Sequence, residues 1–144
     1  MHGSSHAIAL EIRRKSNEDP RAFRQDHIDH RNTFAFETTL RQAELTLRVA
    51  DAASKAGFET EMHYIATDVE IHIQRVIGRA LAGGHAASEP RLREMYAASI
   101  ANVTGVIPAF DLFTLYDSTG SMPVVEAKVA QNQVIFRREP SLSP

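Results

Sequence analysis

The sequence predicts an α/β layer fold with a mostly parallel sheet and a C-terminal β-hairpin. Strand-like and helix-like segments alternate through the middle of the chain, as they do in strand–helix–strand units. The expected carboxyl ends of the strands are polar, as expected where sheets of this kind meet ligands. The chain has 144 residues, 43% hydrophobic and 24% charged, which suits one globular domain with a proper core. Residues 1–144 are read as that domain, with residues 1–6 a small, polar, frayed leader and 120–144 a hairpin and tail.

Each element has a local reason. Ala7 to Lys15 reads as a short helix. Asp19 and Pro20 suit the N-cap and first turn of a second helix running to about Arg31. Thr33 to Thr38, rich in aromatic and β-branched residues, reads as a buried strand. Leu40 to Ala56 carries apolar residues at helical spacing and meets Gly57, an expected helix stop. Glu59 to Ala66 reads as a second strand. Asp68 caps a helix over Val69 to Leu81, broken by Gly83-Gly84. Ser88 caps a further helix opening at Glu89-Pro90 and reaching about Asn102, with more helix as far as Phe110. Leu112 to Tyr116 is a third strand, followed by a turn at Asp117 to Gly120. Val124 to Val129 and Gln133 to Arg137 form the hairpin, turning through Ala130-Gln131-Asn132.

Composition excludes several classes. The net charge is −2, without the basic excess of a nucleic-acid binder. No apolar run approaches the ~20 residues of a membrane span, and no signal peptide is evident. There is no cysteine, so disulfides, thiolate catalysis and Cys-based metal centres are excluded, and a reducing cytoplasm is expected. Thirteen of the sixteen basic residues are arginine. That skew fits anionic ligands or a codon bias.

Two constellations could carry chemistry. In the first, Glu37, Thr38 and Thr39 leave an aromatic strand where a helix begins. The carboxylate could accept from sugar hydroxyls, or the threonines could simply cap the helix. In the second, Arg75 and Arg79 share a helix face before Gly83-Gly84-His85, and Arg91 and Arg93 open the next helix. Arginines around a glycine joint fit a lid that clamps phosphate, or a solvated helix face. The histidines match no zinc spacing, so no metal is expected. The lysines, Lys15, Lys55 and Lys128, do not follow glycine, so the sequence holds no Gly-x-x-x-x-Gly-Lys-Ser/Thr phosphate loop.

Four blocks in order resemble the zeta toxin-like family of P-loop kinases. They are TFAFETTL at Thr33–Leu40, AGF at Ala56–Phe58, the stretch from Arg75 to Val103, and LYDST at Leu115–Thr119. Gly-Gly-His before a Ser-Glu-Pro helix start, then Tyr96, Ser99 and Asn102, is the most specific part. The resemblance implies a P-loop-kinase-like three-layer sandwich using ATP and Mg²⁺ on a small hydroxyl substrate such as a UDP-amino sugar. It places Glu37 and Thr39 in the substrate site. Arg75 and Arg79 become catalytic phosphate contacts, with Arg91, Arg93 and His85 in the lid. His6 falls where the family carries its general base, an aspartate.

With no phosphate loop in the sequence, the resemblance implies a truncated or degenerate kinase with little or no phosphotransfer, binding ATP weakly alone. The alternative is a non-catalytic module that self-associates through open sheet edges or binds a protein partner such as an antitoxin. Neither nucleic acid nor membrane is expected as a partner.

Overall fold

The computed structural model describes residues 19–83 and 87–139. Its backbone contacts divide the chain into two compact units, residues 1–37 and 38–144. The expected helix over Ala7 to Lys15 lies outside the described residues.

In the first unit, residues 19–29 are helical (α1). Asp19 is already inside this helix rather than capping it, a shift of the kind usual at helix ends. Arg31 ends α1 at φ 56. Asn32 N–H donates to His27 O at 2.9 Å and Arg31 N–H to Ile28 O at 3.2 Å, the paired bonds of a Schellman stop.

The strand expected over Thr33 to Thr38 does not form; the segment lies outside any sheet. Strand propensity measures fit against neighbouring strands, and among the described residues none pairs here. The aromatics are used locally instead. Phe34 meets the His27 ring edge-on at 6.0 Å, and Phe36 lies 5.3 Å beneath the Arg24 guanidinium.

The second unit holds the sheet. Its elements are α2 (Ala43–Lys55), β1 (Glu61–Ala66), α3 (Val69–Leu81), α4 (Glu89–Val106), a 3₁₀ turn (Ile107–Ala109), β2 (Leu112–Asp117), β3 (Val124–Ala130) and β4 (Gln133–Arg137). The strands lie in the order β1-β2-β3-β4. β1 and β2 are parallel, whereas β2–β3 and β3–β4 are antiparallel. The sheet is therefore mixed, which corrects the mostly parallel expectation. With no strand over Thr33 to Thr38, a single parallel pair remains, and the hairpin adds two antiparallel strands.

Helix ends follow their sequence signals closely. α2 stops as expected: Gly57 adopts φ 84, Gly57 N–H donates to Ser54 O at 2.9 Å and Phe58 N–H to Ala53 O at 3.0 Å. Asp68 caps α3 by accepting from the N–H groups of Glu70 and Ile71. Ser88 occupies the α4 N-cap position without a side-chain cap bond.

α2 begins at Ala43 rather than Leu40. Leu40 sits at φ 53 and is 2% exposed. A leucine in this region is strained. Its burial and the Asn102 amide, which donates to Leu40 O at 3.0 Å and Arg41 O at 3.1 Å, hold it there.

The parallel pair is locked where it starts. Thr60 donates to Asp111 Oδ2 from its N–H at 2.8 Å and its hydroxyl at 2.9 Å. Asp111 and Leu112 N–H return bonds to Thr60 O at 3.0 and 3.2 Å. These Thr60 donors hold the Asp111 carboxyl below its ordinary pKa. The hairpin turns through two residues rather than three, since Ala130 pairs with Gln133. Gln131 and Asn132 take φ 50 and 61, the backbone of a type I′ turn.

Two outcomes follow for stability. Asp111→Ala should cost about 1 kcal/mol at neutral pH, its exposure to solvent keeping the loss at the low end for a charged hydrogen bond. Because the folded-state pKa is depressed, this contribution is full above the ordinary carboxylate value. It fades as pH falls through the lower folded value, so the gap in Tm between wild type and variant should close in acid. In a second test, Gln131→Asn combined with Asn132→Gly should raise stability by about 1 kcal/mol by relieving the left-handed backbone of Gln131, read by urea unfolding.

Candidate functional site at the carboxyl ends of the parallel strands

Parallel pairing brings the carboxyl ends of β1 and β2 to one edge, with Ala66 opposite Asp117. Ser118 N–H donates to Ala66 O at 2.7 Å and carries the pairing one residue further. Beside this edge lies a cleft of about 310 Å³ lined by Ala66, Thr67, Leu115, Tyr116, Asp117 and Glu126. Thr67 Oγ1 is buried with no hydrogen-bond partner. Thr119 bonds the Asp117 carboxylate, with its N–H 2.8 Å from Oδ1. Those bonds, and more weakly the Arg138 charge, hold Asp117 below the ordinary carboxylate pKa. Glu126 is paired with Arg138 at 2.8 Å.

A larger cleft, about 650 Å³, opens at the opposite end beside Gly57, Asp111 and Gln131. Of its two carboxylates, Glu59 and Asp111, Asp111 is already occupied by Thr60. The carboxyl-end cleft is the better candidate, since ligands in α/β sheets bind outside that end of the strands.

Arg75, on α3, reaches this end. Its Nη1 donates to Ser118 O at 2.7 Å and Ser118 Oγ at 3.2 Å. Its Nη2 donates to Thr119 O at 3.3 Å and Gly120 O at 3.1 Å. Every one of these acceptors is neutral, so the guanidinium keeps its full charge. Arg79, one turn on, donates from Nε to Arg75 O at 3.3 Å. Among the described residues no carboxylate forms an ion pair with either arginine.

Arg91 and Arg93 are placed differently. Arg93 grips both oxygens of Glu70 at 2.7 and 3.0 Å and bonds Glu89 Oε1 at 3.0 and 2.8 Å. This network ties the first turn of α3 to the first turn of α4. The Arg93 guanidinium lowers the Glu70 pKa, and the two carboxylates raise that of Arg93. Arg91 is paired with Glu94. The structure thus brings Arg75 and Arg79 together on α3 and gives Arg91 and Arg93 carboxylate partners.

Glu37 ends the first unit and Thr39 lies in the second; both are exposed. Neither threonine caps α2, whose N-cap is Gln42 with no side-chain bond. Thr38 Oγ1 instead accepts from Leu40 N–H at 3.2 Å in a tight turn. His6 and His85 lie outside the described residues.

The polar stripe of α4 has structural partners. Tyr96 O–H donates to Thr67 O at 2.7 Å, Ser99 Oγ lies 3.0 Å from Tyr64 Oη, and Asn102 holds the Leu40 turn. Spaced three apart, they share one helix face. Burial is the main cause that raises the Tyr96 pKa.

Two features were missed by sequence reasoning. The Thr60–Asp111 lock spans 51 positions, and nothing local marks it. Glu61, His63 and Tyr116 form a chain, with His63 Nδ1 3.0 Å from Tyr116 Oη and Nε2 3.3 Å from Glu61 Oε2. The alternation of Glu61 and His63 along a strand was the available signal for the second.

The sequence has no glycine-rich loop with a following lysine and hydroxyl. Among the described residues no three His, Asp or Glu side chains gather as metal ligands. No described helix is long and apolar enough to cross a membrane.

Comparison with known proteins agrees with the first three sequence blocks, and LYDST at Leu115–Thr119 lies beyond the matched span. Searches of curated proteins and of solved structures return no match. The family model described as Zeta toxin matches residues 13–112. That span covers more than half of the chain and takes in α2, β1, α3 and α4, so the chain belongs to the zeta toxin family.

Proposed function

We propose that these residues form the substrate-side portion of a zeta toxin-type kinase, which binds a phosphate-bearing nucleotide-sugar and transfers little or no phosphate by itself. The observation that carries this reading is the contrast among the arginines. Arg75 keeps unneutralised charge at the carboxyl ends of β1 and β2, and Arg79, bonded to the Arg75 carbonyl, has no carboxylate partner among the described residues, whereas Arg93 is held by two carboxylates. A guanidinium bonded only to neutral oxygens still attracts a phosphate.

The family resemblance adds Glu37 and Thr39 as partners for sugar hydroxyls and His85 as a lid residue; Arg91 and Arg93, which it also assigns to the lid, are paired with carboxylates and take a structural role in this reading. It places His6 at the general-base position and implies a kinase-like three-layer core. Phosphoryl transfer depends on positioning and charge stabilisation by a phosphate loop, its lysine and bound Mg²⁺. The sequence has no such loop, so binding without turnover is the reading the residues support. A family role with an antitoxin partner belongs to the same proposal.

Isothermal titration calorimetry tests it. A UDP-amino sugar should bind and ATP·Mg²⁺ should give no heat. Arg79→Ala should weaken the sugar nucleotide about tenfold or more, the loss of one charge-assisted contact. Arg75→Ala should weaken it at least as much, while Arg93→Ala should leave affinity unchanged and lower Tm. Tight ATP·Mg²⁺ binding with phosphate transfer would overturn the proposal, as would equal losses from Arg79→Ala and Arg93→Ala.

A further inference from the structure

β4 is a sheet edge with an apolar surface. All five of its residues are exposed, and Val134, Ile135 and Phe136 are 67%, 59% and 45% exposed. Among the described residues no strand lies beyond it. Natural edges are commonly guarded by lysine, proline, inward charge or a bulge. β4 has a register shift, which leaves Ile135 opposite no residue of β3, but its charge is confined to Arg137 at one end. Three successive large apolar side chains therefore stand on an edge with unpaired backbone.

We propose that β4 pairs antiparallel with β4 of a second copy of this chain, about a two-fold axis through Ile135. Side-chain complementarity selects this occupant and this direction. In that register Val134 faces Phe136 of the second copy, and Ile135 faces its counterpart. Gln133 faces Arg137, so each guanidinium meets a carboxamide oxygen. Antiparallel pairing sets the two Arg137 residues four positions apart, about 13 Å along the strand. Parallel pairing would put them side by side, an unfavourable like-charge contact.

The arrangement is isologous and closes at two copies, joining two four-stranded sheets into one. β1, the other edge, exposes a single large apolar side chain, Ile65 at 63%, and offers no comparable run. This inference rests on the strand edge and does not depend on the anion-site reading.

The absence of cysteine makes disulfide trapping a clean test. Directly opposed strand residues have Cα atoms about 4.5–5.5 Å apart, within disulfide reach. Gln133 and its counterpart are about 13 Å apart, beyond it. Wild type should be a dimer by light scattering at high micromolar concentration. Mild oxidation should link Ile135→Cys and leave Gln133→Cys unlinked. Ile135→Lys should be monomeric with an unchanged circular dichroism spectrum; should it unfold, the two cysteine variants still decide. A monomeric wild type, equal linking at both positions, or a dimer that survives Ile135→Lys would overturn the proposal. So would open-ended polymers, or a dimer lost through Ile65→Lys, which would assign the contact to β1.

Discussion

The parallel pairing of β1 with β2 is the constraint on which the second unit depends. Antiparallel strands can be joined by a tight turn, but parallel strands need a long crossover, and closing that loop costs entropy. Here the crossover is α3 and α4, and the pair is fastened at both ends. Thr60 and Asp111 lock the start through reciprocal bonds. Ser118 N–H and the Arg75 guanidinium fasten the finish. Because the second fastening comes from α3, the same contacts that close the strand pair also fix the loop bordering the cleft. The antiparallel hairpin needs no such device, and its only demand is a left-handed turn at Gln131 and Asn132.

Elements with local signals were legible in the sequence. α3 begins and ends where Asp68 and Gly83 place it, because a cap and a stop act within one helical turn. Gly57 closes α2 for the same reason. The carboxyl ends of β1 and β2 were legible as a candidate site from the polar residues that follow them. What could not be read was whatever depended on a distant partner. Thr33 to Thr38 has the composition of a strand, but composition does not say whether a neighbouring strand exists. Nor could four arginines be ranked by residue type. Arg93 is neutralised by Glu70, 23 positions away, whereas Arg75 meets carbonyls 43 to 45 positions away. The Thr60–Asp111 lock is invisible in sequence for the same reason.

The α4 stripe separates what marks a family from what performs chemistry. Tyr96, Ser99 and Asn102 were the most specific part of the sequence resemblance, yet each has a structural partner. Tyr96 bonds the chain leaving β1, Ser99 bonds Tyr64 within β1, and Asn102 holds the strained Leu40 turn. Each of these half-buried side chains satisfies its polar atom with a hydrogen bond inside the fold, as polar groups drawn out of water generally do. Three such positions on one face constrain the sequence strongly without touching a ligand. The resemblance is thus firm evidence of ancestry, and weaker evidence for which residues act.

The charge at the carboxyl ends is coupled to the fold through the loop after β2. Asp117 accepts from Thr119 N–H, and Arg75 donates to Ser118, Thr119 and Gly120. The loop is therefore held between an anion on β2 and a cation on α3, each satisfied by the loop's backbone and hydroxyls rather than by the other. Carbonyl dipoles orient the guanidinium without cancelling its charge, so Arg75 can fasten the loop and still attract an anion. That double role means removing it disturbs structure and binding together, and neither effect can be read from that position alone. Among the described residues Arg79 has no hydrogen bond to the loop and donates instead to its own helix backbone. Any affinity lost with the Arg79 charge therefore reports electrostatics, separate from the geometry that Arg75 maintains.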